Sequence, residues 1–253
     1  LVYSIKHVAS EGPDAWALAT LAVAIVSGWQ FVRRQLHLPT PLMDLSLFRN
    51  KTFSGSVTIN LMSLAFLIGF VFFATQLLQI VLGMSPLNAS LALIPGQLMA
   101  IVVGILIVPI AQRVSVNVLI PILLAFTAGA FLLVASLGSS LTVIVVAFAL
   151  LNIGVGAIAT VSNDVILSAA PANKAGAASA ISETAYEVGV VLGTTVLGGL
   201  VTAYYRGTLH LPDFLSAMQM QLASETLAGA TQSRPPWRTT RPVKSWATLY
   251  RHL

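Results

Sequence analysis

Six long, mostly apolar runs divide this chain, at roughly Ala15 to Phe31, Phe53 to Leu82, Leu87 to Ala111, Val116 to Leu137, Leu141 to Leu167 and Gly176 to Tyr204. An α-helix needs about 20 such residues to cross roughly 30 Å of hydrocarbon, whereas barrel strands read as alternating segments of about ten. The runs therefore predict an all-α, polytopic transmembrane helical bundle of about six spans. Composition agrees: only 8% of residues are charged, against roughly 25% in a soluble domain. Cysteine is absent, which excludes disulfides and thiolate metal sites and says nothing about compartment.

The isoelectric point near 9.9 suggests nucleic acid until the basic residues are placed between the runs. Arg33, Arg34, Arg49, Lys51, Arg113 and Lys174 share one side, and the opposite short loops around Ser85 and Ser139 have none. Basic residues concentrate on the cytoplasmic side of membrane proteins, so these loops are expected inside. Leu1 to Asp14 and everything after Arg206 then fall outside, with Lys6 and Arg206 as exceptions. The expected partner is a lipid bilayer, not nucleic acid.

Three carboxylates interrupt the last two runs: Asp164, Glu183 and Glu187. An ionised group at the bilayer centre costs about 2.5 to 3.5 kcal/mol on insertion scales, so such residues are functional by default. Glu183 and Glu187 are one helical turn apart and project from one face. Counted from Lys174 at 1.5 Å per residue they lie about 13 and 19 Å in. Two carboxyls so placed can share a proton, and an anionic site in an apolar pocket attracts an organic cation. Competition between proton and cation for one site is a minimal antiport mechanism. The alternative is structural: the acids are hydrogen-bonded by Asn163, Ser182, Thr184 or Tyr186 and fix helix pairing.

Other polar and helix-breaking residues leave two readings each. Gln76, Gln79, Asn60 and Tyr186 line a substrate pathway or bond a neighbouring helix, as do Asn88, Gln97 and Asn152. Pro95, Gly96 and Pro109 interrupt one span, because proline removes a backbone hydrogen bond. Gly154, Gly156, Gly189 and Gly193 supply small surfaces for close helix contact, the last two at GxxxG spacing. Such contacts serve static packing or helices that rock.

Outside the spans, Leu42, Met43, Leu45, Leu47 and Phe48 alternate with Asp44, Arg49 and Asn50 in a connector after Pro39 and Pro41. They predict an interfacial helix or a simple linker. Asp213 to Gly229 has helical spacing of Phe214, Leu215, Met218 and Leu222. From Ser233 the tail is basic and proline-rich without an acid, which fits a disordered terminus or an ending that is not original. Enzyme readings fare poorly: every histidine lies outside the spans, and no GxSxG, HExxH or phosphate-binding loop occurs. No cofactor or metal is expected.

The run Gln79-Ile80-Val81-Leu82-Gly83-Met84-Ser85-Pro86-Leu87-Asn88-Ala89 with Ile94-Pro95 resembles part of the C-terminal half of fourteen-helix drug:proton antiporters of the major facilitator superfamily. Pro41-Leu42-Met43-Asp44 with Leu47-Phe48-Arg49-Asn50 is similar to the entry into that half. Asn163-Asp164, Ser168-Ala169-Ala170-Pro171, Ala175-Gly176-Ala177-Ala178-Ser179, Ser182-Glu183-Thr184 and Glu187 with Gly189 look like its quaternary-ammonium and multidrug efflux branch. Ser90 and Asn163 depart from the family's usual glycine and threonine. The resemblance implies a proton-driven exporter of lipophilic cationic drugs, dyes and antiseptics in a bacterial cytoplasmic (inner) membrane, with Asp164, Glu183 and Glu187 as proton or cation sites. It implies residues 1–35 as inter-half helices, 36–52 as a cytoplasmic connector and 53–205 as a five-helix C-terminal bundle. Residues 206–232 follow as an extracytoplasmic segment and 233–253 as a tail, with the reading frame lost near Gln232. The partners implied are protons, organic cations and the missing N-terminal half of the transporter. Because members bind substrate between two halves, a transport-incompetent remnant is the second expectation, and a carrier for another solute the third.

Overall fold

A computed structural model describes residues 14–38, 43–138 and 140–199, and all regular structure among them is helical. The N-terminal segment, Pro39, Pro41, Ser139, the amphipathic stretch after Asp213 and the basic tail lie outside the described residues. The long helices are α1 (Ala15–His37), α2 (Lys51–Gln76), α3 (Pro86–Ala111), α4 (Val116–Leu137), α5 (Leu141–Ala169) and α6 (Ala175–Leu192). Both α2 and α6 run on through a π-helical turn, Leu77–Val81 and Gly193–Leu197 respectively, and α6 is described to Gly199. Short 3-10 turns occupy Leu45–Arg49 and Ala172–Lys174. Among the described residues five helices, α1 to α5 with the π turn of α2 included, are long and apolar enough to cross a bilayer; α6, which carries both glutamates and was expected from sequence as the sixth span, is not among them.

Local chemistry sets the ends. Side chains of Asp14, Asn50, Ser85 and Ser140 accept hydrogen bonds from first-turn amides, satisfying donors that a helix start leaves unpaired. Pro86 at the head of α3 loses nothing there, since its missing N–H would be unpaired anyway. Gly83, with φ 66°, turns the chain out of α2 in the left-handed conformation that side chains disfavour. The α1 helix runs beyond Phe31 to His37, through Arg33 and Arg34; Arg33 stacks 5.3 Å over Trp29.

The bundle is organised on α5, which packs against α2, α3 and α4. Half of its most apolar stretch is buried, against 6% for α1. At one end Ile144, Ala147, Phe148, Leu151 and Val155 meet Phe70, Ala74, Leu78 and Ala89. Further along, Ala157, Ile158 and Val161 meet Ile107, Leu119 and Leu123. Ile166 then joins Phe53, Val57, Ala178 and Ile181. Phe70 stacks on Phe148 at 6.1 Å and meets Phe131 edge-on at 5.6 Å.

Lipid is as apolar as leucine, so helices associate through close packing rather than through hydrophobic burial. Glycines mark the crossings. A Cβ on Gly154 would lie 2.5 Å from Thr127 Oγ1 and 2.7 Å from the Leu123 carbonyl of α4. One on Gly189 would lie 2.7 Å from the Leu61 carbonyl, and one on Gly193 2.5 Å from the Ala65 carbonyl, both on α2. Gly156 abuts Ala100 of α3, and Gly96 of α3 faces the Phe148 ring. Pro95 and Pro109 lie inside α3, and Pro121 lies inside α4.

Overpacking a filled contact costs about 1 to 3 kcal/mol. Gly189→Val and Gly193→Val should each lower the thermal unfolding midpoint of the detergent-solubilised protein, whereas Gly55→Val, with nothing within 4 Å, should leave packing intact.

Candidate functional site

The acid-bearing segments are brought together by three hydrogen-bonding side chains. Asn163 of α5 accepts from the Ser182 hydroxyl at 2.6 Å through Oδ1, and its Nδ2 donates to the Tyr186 hydroxyl oxygen at 2.9 Å. Ser182 and Tyr186 are one turn apart on α6. Each carboxylate is the chain neighbour of one of the three: Asp164 of Asn163, Glu183 of Ser182 and Glu187 of Tyr186. The residues expected from sequence to hold the acids thus bond one another instead. Thr184 donates to the Ala180 carbonyl of its own helix.

All three acids are exposed. Among the described residues none of them has a hydrogen-bond or ion-pair partner. The inward face of α6 is Ala178, Ile181, Ser182, Ala185 and Gly189, and the glutamates stand about 100° around the axis from Ser182 and Tyr186. Parallel packing on α2 fixes their level. Gly189 meets Leu61 and Gly193 meets Ala65, each pair 128 residues apart. Glu183 is therefore level with Gly55 and Glu187 with Ile59, about 6 and 12 Å along α2 from Lys51.

Below this layer lies the charged end of the bundle. Lys174 Nζ is 2.6 Å from Asp44 Oδ2 and donates to Ser46 Oγ at 3.1 Å. Asn50 caps α2 and its Nδ2 donates to the Ala169 carbonyl at 3.4 Å. Leu47 is buried against the α5–α6 end, and the Met43 amide donates to the buried Gln35 side chain at 3.3 Å. The described part of the connector thus contains a short 3-10 turn, Leu45–Arg49, docked on the acid-bearing hairpin. The hydrogen bond from Lys174, with that from Ser46, lowers the Asp44 pKa from 3.8 to about 2.

Of the other polar candidates, Asn60 is 2% exposed and its Nδ2 has no partner. Ser63 and Ser162, which no sequence pattern singles out, share that condition. Gln76 is half-buried just before the π turn of α2, and Gln79 is exposed within it. Asn152 donates to the Phe148 carbonyl of its own helix at 2.8 Å. Among the described residues no group of three or more His, Cys, Asp or Glu gathers in a metal-holding arrangement.

An all-helical bundle with five described helices long and apolar enough to cross a bilayer is the architecture of a multi-pass membrane protein. Residues 6–194 match the Major Facilitator Superfamily, and the chain belongs to that superfamily. It is 44% identical over 232 residues to the multidrug efflux pump LfrA of Mycolicibacterium smegmatis, covering 91% of this chain and 46% of that protein. It is 28% identical to the methyl viologen resistance protein SmvA of Salmonella typhimurium, covering 93% of this chain and 49% of SmvA. With the tetracenomycin C resistance and export protein of Streptomyces glaucescens it shares 36% identity, over 79% of this chain and 37% of that protein. The chain spans less than half the length of each of these relatives.

Asp44 gains stability from its depressed pKa, present above 3.8 and lost as pH falls through about 2. Lys174→Met should raise the Asp44 pKa toward 3.8 and flatten the acid dependence of unfolding across that window. At neutral pH it should cost about 0.2 to 1 kcal/mol, as exposed pairs do, read by thermal unfolding at several pH values.

Proposed function

We propose that this chain forms part of a proton-coupled antiporter that exports lipophilic cationic drugs, dyes and antiseptics across a bacterial cytoplasmic membrane. It corresponds to the C-terminal half of a fourteen-helix transporter of the superfamily. The observation that carries this reading is the layer of three unpartnered, exposed acids, Asp164, Glu183 and Glu187, next to the Asn163–Ser182–Tyr186 cluster in an otherwise apolar bundle. The relatives support the substrate class: LfrA is a multidrug efflux pump and SmvA a methyl viologen resistance protein.

In this mechanism the open face of α6 turns toward the partner half and not toward lipid. A proton neutralises Glu183 or Glu187 when the site faces outward; its release inside restores the anion, which attracts the next cation. A site that holds either a proton or a cation, but not both, couples their opposite movements. Asp164, level with Glu183, supplies a second carboxyl through which the proton passes. Lys51, Lys174 and Arg113 lie on the cytoplasmic side, and the docked connector stabilises that end of the hairpin.

Glu183→Gln and Glu187→Gln keep the size of the side chain and remove its charge. In membrane vesicles containing the full-length protein, each should lower proton-linked efflux of a lipophilic cationic dye at least about tenfold, roughly 1.4 kcal/mol of lost coupling. Undiminished cation export by both variants would remove the carboxylates from the mechanism, and export of an uncharged solute alone would identify a carrier of another kind.

A further inference from the structure

We infer that Asn163 is the positioning residue of the glutamate pair. By binding Ser182 and Tyr186 together it fixes the rotation of α6 about its own axis and so holds Glu183 and Glu187 on the open face. This inference rests on the proton and cation role proposed for that pair.

The contact between α6 and α2 is made by the small residues Ala178, Ala185, Gly189 and Gly193, which let the backbones approach closely, with Ile181 as the one large side chain of α6 buried beside Phe53 and Val57. The two hydrogen bonds to α5 add a directional constraint to this packing. Their partners are one turn apart, so together they define a direction on α6 as well as a point. An amide suits the position because one end accepts while the other donates. Asn163 accepts from Ser182 at 2.6 Å and donates to Tyr186 at 2.9 Å. Ser182 is buried and both partners are followed in the chain by a glutamate. With their direction fixed, the glutamates stand about 100° away, off the α2 contact. Asn163 is hydrogen-bonded to neither carboxylate and acts through the helix. The other charged or titratable groups on α6 and on the described elements packed against it are Tyr186, Asp164 of α5, Lys51 of α2, Lys174, and Asp44 and Arg49 of the connector.

The test is per-residue labelling of Glu183 and Glu187 by the hydrophobic reagent dicyclohexylcarbodiimide, with the full-length protein in liposomes across a range of pH. In Asn163→Ala the pH of half-maximal labelling should move by about half a unit or more at one or both glutamates. Tyr186→Phe, which removes one oxygen and keeps the ring, should move it by less; it decides the matter if Asn163→Ala fails to insert. The double variant Ser182→Ala/Tyr186→Phe should reproduce Asn163→Ala, and combining all three should add nothing, as expected of groups acting as one unit. A labelling profile that superimposes on the unsubstituted protein, including no labelling in either, overturns the inference, as does a change in thermal stability alone. If Asn163→Ala shifts labelling while Glu183→Gln and Glu187→Gln export dye normally, positioning stands and the antiport reading falls. Lost export in the glutamate variants with an unshifted Asn163→Ala profile leaves antiport standing and removes the positioning role.

Discussion

Close backbone contact between helices, in a solvent that gives apolar side chains no reason to leave it, is the constraint on which this structure depends. Hydrocarbon offers no hydrogen bonds either, so each span satisfies its own backbone and the bundle must be assembled by shape. Glycine at the crossings provides that shape. Gly154 admits α4 to α5, Gly156 admits α3, and Gly189 with Gly193 brings α6 onto α2. These contacts set the level of α6 on α2, with Gly189 beside Leu61 and Gly193 beside Ala65.

Polar interactions then act where packing leaves freedom. The Asn163 amide ties α5 to α6 within the bundle, and Lys174, Asp44, Ser46 and Asn50 tie the same hairpin to the connector at its charged end. The acids take part in neither network. In a chain with so few charges, the three carboxylates stand without partners beside a satisfied polar cluster, and the proposed antiport function is placed on them. The two networks hold the helices that carry them and leave the carboxyls unpaired.

The helical spans are legible in the sequence because length and composition suffice to specify them in lipid; Val116 to Leu137 has the same limits in sequence and structure. Close packing at Gly189 and Gly193 is legible from their spacing, although their partners on α2 are not. Pairings between distant segments escape because they depend on register. Nothing local makes Lys174 the partner of Asp44, buries Leu47 in the connector or joins Asn163 to Ser182 and Tyr186 rather than to the acids. Hydropathy ends α1 too early because Arg33 and Arg34 break the apolar run without breaking the helix: arginine and glutamine are good helix formers, and Arg33 lies over Trp29. The unpartnered Ser63 and Ser162 give no signal, since serine is common at membrane-helix contacts.

The central claim is that a carboxyl on α6 gives up its proton when a cation arrives, and infrared difference spectroscopy of the full-length protein in lipid observes that event directly. Adding a lipophilic cation should remove protonated-carboxyl absorption and create carboxylate absorption, and both changes should be missing when Glu183 and Glu187 are replaced by glutamine. A cation that binds with the carboxyl bands unchanged, or with the same change in the glutamine variant, would contradict the account.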